Sequence, residues 1–452
     1  MWVLDKTFLN SIETRLADQW QALPAPRIGR FLHCEVSLDD PLSGLTPRQW
    51  FQCATAPGVL YWQNPEGTCE CAGLGSAACF DSESHGGLEA CMAAMQDTIG
   101  GIDGSPRFYG GMAFDQTRPV HGPWSGFGLY QFWLPQFECR RIQGRTTLLV
   151  TLPVTHPDQS PVDAAMRQLE GLLAALPVGQ GVPGHPVNPV HEQAFCPTPE
   201  QWADSVTVLL ERFDSDLNKV VLGCRETLRF QKPVQARTLF HAIAARGPAY
   251  QFYFTGDKSV FMGTSPECLY GRCHHQLIAD ALAGTRHETG SGLELMDSDK
   301  DNREHDYVVR DMQEALACLC TEIHRTEHKQ LLRWHDLEHL RSRFLGRLQP
   351  GISDYRILDT LHPSAAVLGY ARDRAWSRLR AEESFDRGWY AAPVGWIGRD
   401  AAEFAVAIRS ALAHGNILDL YAGAGIVRGS DPQQEWNEIL SKMNHFHEAL
   451  GI

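Results

Sequence analysis

Two glutamates and a lysine near the C-terminus share the spacing of one helix face. Glu435, Glu438 and Lys442 follow Asp431-Pro432, a pair that suits the N-cap and the first helical position. Residues three or four apart lie on one side of a helix, and its N-terminus favours negative charge. The carboxylates could therefore stay ionised and bind a hard cation. A solvated helix with an ordinary Glu–Lys pair fits the same spacing.

A second acidic helix start lies in the run Lys300-Asp-Asn-Arg-Glu-His305. Glu304 and His305 fall in the first turn of a helix predicted over about 302–325, where the helix dipole again favours an anion. Carboxylates at two helix starts, without a set of cysteine ligands nearby, suit oxygen-bound Mg²⁺ rather than zinc. A capped acidic helix start is the alternative interpretation.

The glycines of Tyr421-Ala-Gly-Ala-Gly-Ile-Val427 are not interpreted as a dinucleotide loop. A predicted hairpin strand precedes them, and the next helix starts too late to hold a phosphate. Paired glycines let a backbone come close to an anionic group, and Gly284-Thr285 could serve the same end. A plain turn is the alternative at both places. Spacing alone therefore stops at a Mg²⁺-using enzyme for a small anion.

Composition and charge narrow the class of partner. The 452 residues carry 54 acidic and 40 basic side chains, and the formal charge of −14 disfavours nucleic acid and anionic membrane surfaces. No apolar run reaches the roughly 20 residues that span a bilayer. The N-terminus lacks the basic and long apolar regions of a signal peptide. An odd number of cysteines, 13, is typical of free thiols. We expect a cytoplasmic protein without a nucleic-acid or membrane partner.

Both strands and helices are predicted to position these residues. Short apolar runs broken by Gly and Pro indicate a β-rich start, and helices are predicted near 164–176 and after Thr198-Pro199. A strand opens at Lys219, and runs at 394–397, 404–412 and 417–421 predict an antiparallel meander before the last helix.

Three parts follow from these elements. We predict a β-rich N-terminal half over 1–176 that belongs to the same fold, a linker over 177–197 that is rich in Pro, Gly and Val, and a catalytic region over 198–452.

Residues 195–452 resemble the chorismate-utilising enzymes, which include anthranilate, aminodeoxychorismate, isochorismate and salicylate synthases. Eight ordered motifs carry the likeness: 219–223, 263–269, 281–285, 300–305, 338–342, 361–364, 405–410 and 421–438. The runs 421–432 and 106–115 are most similar to the menaquinone-pathway isochorismate synthases. The resemblance implies a mixed α+β fold like that of anthranilate synthase component I. Large antiparallel sheets pack together in it, helices lie outside, and the active site lies in a cleft.

An isomerase activity follows from the resemblance. Water would attack C2 of chorismate while the C4 hydroxyl leaves, giving isochorismate reversibly. The family pattern makes Lys219 the base and Glu267 the acid. Lys219 must be neutral to accept a proton, which burial or neighbouring positive charge would favour. Glu267 must hold a proton, so we expect a raised pKa. The two side chains should face opposite sides of a bound ring.

The resemblance also implies a metal and a substrate pocket. Glu304 and Glu438 would bind Mg²⁺ directly, with Glu435 acting through water, and the ion would hold the ring carboxylate. Arg409 and Tyr390 would bind the enolpyruvyl carboxylate, since arginine offers a two-pronged match to a carboxylate. The remaining substrate-binding positions implied by the family are Gly284, Thr285, His339, Gly425 and Lys442.

Two positions distinguish between members of the family. Lys219 indicates water as the nucleophile, because anthranilate synthases carry glutamine there, and no glutamine amidotransferase subunit is expected. Ala283 stands where aminodeoxychorismate synthases place a lysine. Salicylate synthases share Lys219 and Glu267, so elimination of pyruvate after isochorismate formation remains an alternative. A catalytically inactive relative that binds a chorismate-like metabolite is the other.

Overall fold

The computed structural model describes residues 6–38, 44–53, 58–176, 188–214, 216–245, 247–287, 293–334 and 337–452. Helices α1 to α11 in these ranges are Lys6–Ala22, Pro47–Gln52, Leu88–Gly100, Val162–Ala174, Pro199–Arg212, Ala236–Ala244, Leu293–Met296, Asp299–Leu319, Asp354–Leu361, Arg372–Glu382 and Pro432–Leu450. Strands β1 to β10 are Phe31–Ser37, Val59–Gln63, Cys69–Asp81, Arg107–Met112, Tyr130–Ile142, Arg145–Pro153, Val190–Cys196, Lys219–Phe230, Tyr250–Thr255 and Ser259–Ser265. Strands β11 to β19 are Cys268–Cys273, Gln276–His287, Cys320–Trp334, Leu337–Leu348, Gly369–Tyr370, Pro393–Gly398, Ala401–Val406, Ser410–His414 and Ile417–Val427.

The strands join in one continuous sheet, and each pairing between described strands is antiparallel. From one end, the sheet runs β13, β14, β12, β11, β17, β16, β4, β5, β3, β2, β9, β10, β18, β19 and β8. Strands β7 and β15 pair with β8, and β6 joins β5 to β1. The α+β fold with large antiparallel sheets, predicted from the sequence, is confirmed.

Strands β4, β5, β3 and β2 from the N-terminal part form one block between strands of the C-terminal part. Strand β4 pairs with β16, and β2 pairs with β9. The division into an N-terminal half and a catalytic region stays a prediction. Of the predicted linker, 177–187 lie outside the described residues, whereas Val190–Cys196 form β7. Strand β7 was not predicted from the sequence. It is a short edge strand that is largely exposed, so it lacks the alternating apolar residues that indicate a strand.

Two predicted elements differ from the helices and strands of the structure. The helix predicted to about residue 325 stops at Leu319, and β13 begins at Cys320. The β-branched Thr321, Ile323 and Thr326 favour the strand over further helix. The strand predicted over 404–412 is two strands, β17 and β18, with different partners, so the predicted meander is wrong there. The break between them contains Arg409, and apolar alternation alone does not reveal it.

Helix caps are well predicted by the sequence. The Thr198 side chain accepts a hydrogen bond from the Gln201 N–H in a capping box, and Pro199 opens α5. The Asp431 side chain accepts from the backbone N–H groups of Gln433 and Gln434 at the start of α11. The first helix, α1, spans Lys6–Ala22.

The sheet curls so that two distant parts of it line one cavity. Strands β8 and β19 contribute residues from one part of the sheet and β12 and β14 from the other, while α8 contributes Glu304 and α11 contributes Lys442. Gly425 on β19 lies opposite Val221 on β8, and Thr285 on β12 lies opposite His339 on β14. In the portion of the chain that the structure describes, no helix is long and apolar enough to cross a membrane.

Candidate active site

One cavity of about 530 Å³ gathers most of the residues that the sequence singled out. Those that line it are Glu267, Gly284, Thr285, Glu304, His339, Tyr390, Arg409, Gly425 and Lys442. Glu438 lines an adjoining cavity that shares Thr285 with the first. Lys219 and Glu435 reach the same region through Glu304 and Lys300, as described below. The structure brings these side chains together, whereas their individual roles stay predictions.

Lys219 is completely buried at the first position of β8. Its Nζ lies 3.1 Å from Glu304 Oε1, so the predicted base and the predicted metal ligand form an ion pair. Gly425 makes this approach possible. A Cβ there would overlap the Glu304 carboxylate and would lie 2.9 Å from Lys219 Cε. The glycine is needed for close approach of side chains, and the alternative of a plain turn is wrong because Gly425 lies within β19.

Glu267 lies in the link between β10 and β11, and its carbonyl accepts a hydrogen bond from the Val406 N–H at 3.1 Å. Burial raises the pKa of Glu267 to about 8, helped by the charge of Asp280. Lys219, Arg409 and Lys442 act in the opposite direction without cancelling the effect of burial. The prediction of a raised pKa is confirmed, and the carboxyl holds a proton at neutral pH.

Glu304 is buried in the same cavity with the opposite result. Burial alone would raise its pKa, but Lys219, Lys300 and Lys442 together lower it below the ordinary value. The glutamate lies on α8, which starts at Asp299 behind a Ser298 cap. The cavity thus contains one glutamate that holds a proton and another that is ionised.

Each of the three predicted metal ligands contacts a lysine. Glu304 pairs with Lys219, Glu438 Oε1 lies 2.5 Å from Lys442 Nζ, and Glu435 pairs with Lys300. The Glu438–Lys442 pair is the ordinary helix pair that the sequence left open. Within the described ranges, no group of three or more His, Cys, Asp or Glu side chains is arranged to hold a metal ion.

The three carboxylates all act on the ammonium group of Lys300. Burial would lower the pKa of this lysine, but Glu435, Glu438 and Glu304 together raise it. Burial and the neighbouring Glu438 in turn raise the pKa of Glu435 to about 7. Three carboxylates from two helix starts therefore act on one cation. Carboxylate oxygens are the donors that a hard divalent ion such as Mg²⁺ prefers, although the described side chains are not arranged as a metal site.

Arg409 and Tyr390 lie close together in the cavity wall. Both are almost fully buried. Burial lowers the pKa of Arg409 to about 10, and Tyr390, Glu438 and Glu267 act against that effect. The Tyr390 ring stacks on Tyr421 with 5.2 Å between centroids. A buried guanidinium beside a phenol offers a carboxylate several donors in a dry environment.

His339 provides a neutral imidazole. Its Nδ1 lies 3.0 Å from Thr285 Oγ1, while its Nε2 lies in a buried position on the cavity side. Burial, with Arg409 and Lys442, lowers the pKa of His339 well below the ordinary value. The Lys442 ammonium also donates to the Gly423 carbonyl at 2.8 Å. Thr285, His339 and Lys442 therefore form a polar wall.

Several wall residues were not identified from the sequence. They are apolar or small, namely Val221, Leu282, Ala366, Val367, Ala391, Ile408 and Gly423. Such residues carry no chemical signature, and a strand or turn pattern does not say which face meets a cavity. Lys300 was visible in its motif but received no role. A lysine in an acidic helix start, two residues before the predicted first helical residue Asn302, was the signal that could have identified it.

Comparisons of the sequence and of the structure with known proteins agree on one family. The family model described as "chorismate binding enzyme" matches residues 33–451. The isochorismate synthase MenF of Escherichia coli strain K12 is 31% identical over 454 residues, covering 97% of this chain and 97% of that protein. The solved structure of MenF, the menaquinone-specific isochorismate synthase from E. coli, has a TM-score of 0.80 and 29% identity. It covers 97% of this chain and 100% of its own.

A further likeness concerns the fold alone. Anthranilate synthase component I from Streptococcus pneumoniae TIGR4 has a TM-score of 0.64 and 19% identity, covering 75% of this chain and 80% of its own. The fold predicted from the motifs, with its likeness to component I, is thereby confirmed.

Proposed function

The chain belongs to the family of chorismate binding enzymes, and on that premise we propose that it converts chorismate reversibly into isochorismate. Water adds at C2 of the ring, and the hydroxyl at C4 leaves as water. The observation that carries the proposal is a buried lysine that pairs with Glu304 of the cavity wall, together with a glutamic acid in the same wall that is protonated at neutral pH.

Glu267 supplies the proton in this proposal. A leaving hydroxyl is a poor leaving group unless it is protonated, and a general acid works best when its pKa lies near the working pH. The pKa of about 8 meets that condition. Burial keeps water away from the carboxyl, so the proton passes to the C4 oxygen of the substrate.

Lys219 takes the proton of the attacking water in its neutral form, so the ammonium that pairs with Glu304 must first lose a proton. Lys219 lies on β8 and Glu267 in the link between β10 and β11, and we assign the two groups to different faces of the ring. Transfer of one proton from water to Lys219 and of another from Glu267 to the leaving hydroxyl leaves the substrate's charge unchanged. The reverse reaction then uses the same two groups in exchanged protonation states.

Two carboxylates of the substrate need two cationic sites. Arg409 and Tyr390 bind the enolpyruvyl carboxylate, and the polar wall of Thr285, His339 and Lys442 borders the ring. Glu304 and Glu438, with Glu435 acting through water, would hold Mg²⁺, and the ion would supply the positive charge for the ring carboxylate. The common action of these three glutamates on Lys300 supports that assignment. Binding of the ion requires the carboxylates to exchange their lysine partners for it.

The pathway is the finer part of the proposal. The names of the relatives in E. coli and Bacillus subtilis, both isochorismate synthase MenF, support a role in menaquinone biosynthesis. The coverage of nearly the whole chain by the E. coli protein supports an enzyme that works without a second type of subunit.

Chromatography of a reaction with chorismate and Mg²⁺ tests the proposal. Isochorismate as the sole product is the expected result, with chorismate reappearing when purified isochorismate is supplied instead. Salicylate together with pyruvate would make the protein a salicylate synthase. Unchanged chorismate, with binding still detectable by calorimetry, would make it an inactive metabolite-binding relative. Addition of excess EDTA should stop turnover, and Mg²⁺ should restore it.

A further inference from the structure

Among the described strands, none pairs with the middle of one edge of β8 beside the cavity. Strand β15 pairs with Lys219 and Val220, and β7 pairs with β8 from Arg225 to Phe230. Between these two partners, no described strand covers that edge. The Val221 N–H is satisfied there by the Leu368 carbonyl at 2.9 Å. The Val221 carbonyl and the Gly223 N–H would otherwise be buried without partners, which is costly for backbone groups.

A buried ion pair fills this gap. Arg387 Nη2 donates to the Val221 carbonyl at 2.9 Å, and the Gly223 N–H donates to Glu383 Oε1 at 2.5 Å. Arg387 Nε donates in turn to Glu383 Oε2 at 2.8 Å, four residues earlier in the chain. The Arg387 side chain is 4% exposed and that of Glu383 is 8% exposed. The two side chains thus do for β8 what an adjacent strand does elsewhere.

The same guanidinium contacts two further parts of the cavity wall. Arg387 Nη1 donates to the Val367 carbonyl at 2.8 Å, and both Val221 and Val367 line the cavity. The Arg387 guanidinium carbon also lies 5.7 Å from the ring centroid of Tyr390. One side chain therefore links a strand, a turn and an aromatic wall residue that are far apart in sequence.

We propose that Arg387, held in place by Glu383, is a positioning residue that fixes the Val221, Val367 and Tyr390 wall of the substrate cavity. The inference rests on the proposed function, because it assigns the wall to chorismate. Arg387 touches no reacting atom. It acts through the backbone carbonyls of the wall, and the planar fork of a guanidinium reaches two carbonyls and a carboxylate at once, as an ammonium group cannot.

Arg387→Ala should therefore misplace the wall without removing any group that does chemistry. A displacement of about 1 Å in a site of this kind can cost roughly 100-fold in rate. We expect kcat/KM for chorismate to fall by about that factor, with kcat affected as well as KM because the ring is no longer aligned between Lys219 and Glu267. Glu383 would remain as a buried carboxylate with an empty place for a cation beside it.

The structure offers a route for chemical rescue. Arg387 and Glu383 also line a second cavity, which is open to solvent and includes Arg380 and Trp376. Guanidinium or methylguanidinium at millimolar concentration can enter there and restore the bridge. In Arg387→Ala we expect either ion to raise kcat/KM at least about 10-fold, a recovery of part of the roughly 100-fold loss.

Arg380→Ala is the matched control. Arg380 lines the same second cavity, but its guanidinium pairs with Asp115 at 2.9 Å and the side chain is 37% exposed. It makes no described contact with Val221, Val367 or Tyr390. The control should keep wild-type kinetics and should not respond to guanidinium.

Amide hydrogen exchange gives a readout that does not depend on turnover. Exchange at the Gly223 N–H should accelerate in Arg387→Ala, because Glu383 loses the partner that holds it, and should slow again with methylguanidinium. If wild-type protein leaves chorismate unchanged, the proposed function fails, whereas the exchange result still tests the bridge.

Three outcomes would overturn the proposal. They are a folded Arg387→Ala with kcat/KM within about threefold of wild type, a folded variant that no guanidinium compound improves, and unchanged exchange at Gly223. If the alanine variant does not fold, Arg387→Lys keeps the charge opposite Glu383 but has one nitrogen in place of the two that reach the Val367 and Val221 carbonyls. A folded Arg387→Lys should still lose about 10-fold in kcat/KM, and wild-type kinetics in that variant would refute the proposal.

Discussion

Glu267 and Glu304 are buried glutamates in one cavity, yet their surroundings produce opposite states. Glu267 lies between strands, its closest cations act without a direct ion pair, and burial raises its pKa to about 8. Glu304 lies in a helix with Lys219 Nζ at 3.1 Å, and three lysines lower its pKa. Burial is common to both residues. A direct ionic contact therefore decides which carboxyl keeps a proton and which can bind a cation.

Removal of the Lys219 side chain should have the largest effect on catalysis. Lys219→Ala deletes the proposed base and the partner of Glu304, so we expect kcat to fall by a factor of about 100 to 10,000 while chorismate still binds. Steady-state kinetics and calorimetry measure the two quantities. Lys258→Ala, at an exposed position in the β9–β10 turn, is the matched control and should behave like wild type. Turnover retained in Lys219→Ala would exclude Lys219 from the mechanism.

A methyl group at Gly425 should disturb the surroundings of Glu304 and leave those of Glu267 largely unchanged. The added Cβ overlaps the Glu304 carboxylate and lies 2.9 Å from Lys219 Cε, so both side chains must move. We expect Gly425→Ala to lose about 100-fold in kcat/KM and to bind Mg²⁺ more weakly. Gly271→Ala provides the control, since a Cβ at that strand position meets nothing within 4 Å. Equal kinetics of the two variants would mean that the close approach at Gly425 is unimportant.

The pH dependence of kcat/KM tests the assignment of Glu267 as the general acid. A general acid acts only in its protonated form, which predominates below its pKa. The forward kcat/KM should therefore decline above about pH 8, approaching tenfold per pH unit, because the pKa of Glu267 is about 8. The cations facing this carboxyl are Lys219, Arg409 and Lys442, and the anion facing it is Asp280. Glu267→Gln should remove the decline together with most of the rate. A wild-type profile that stays flat to pH 9.5 would contradict the assignment.

Glu403 separates a raised pKa from a catalytic role. Burial raises the pKa of Glu403 to about 7, although this residue lies on β17 outside the cavity wall. A pKa raised in the folded state gives stability that is complete below the unfolded pKa and is lost as the pH rises through 7. Glu403→Gln should therefore raise the free energy of unfolding at pH 9 by about 1 to 3 kcal/mol and change little at pH 4.

Urea unfolding at the two pH values measures the Glu403 effect, and kcat/KM should stay at the wild-type value. A loss of activity in the variant would show that the position reaches the substrate after all. A stability difference that is the same at both pH values would exclude a buried ionisation as its cause.

The sequence predicted the helix starts better than the strands. Caps such as Thr198 and Asp431 act within three residues, so local sequence specifies them. The break that contains Arg409 and the strand after Leu319 depend on partners far along the chain, which no local pattern contains. The carboxylates and the lysine of the site carry chemical signatures and were found. Arg387 was missed because its importance comes from the backbone carbonyls of Val221 and Val367 that it contacts.

A crystal structure with Mg²⁺ and isochorismate tests the central assignment most directly. We expect the ion on Glu304 and Glu438, with the ring carboxylate bound to it and the enolpyruvyl carboxylate on Arg409. Lys219 Nζ and the Glu267 carboxyl should then lie on opposite faces of the ring, each within hydrogen-bond distance of an oxygen or a water at C2 or C4. An ion bound elsewhere, or a ring with both groups on the same face, would contradict the proposed mechanism.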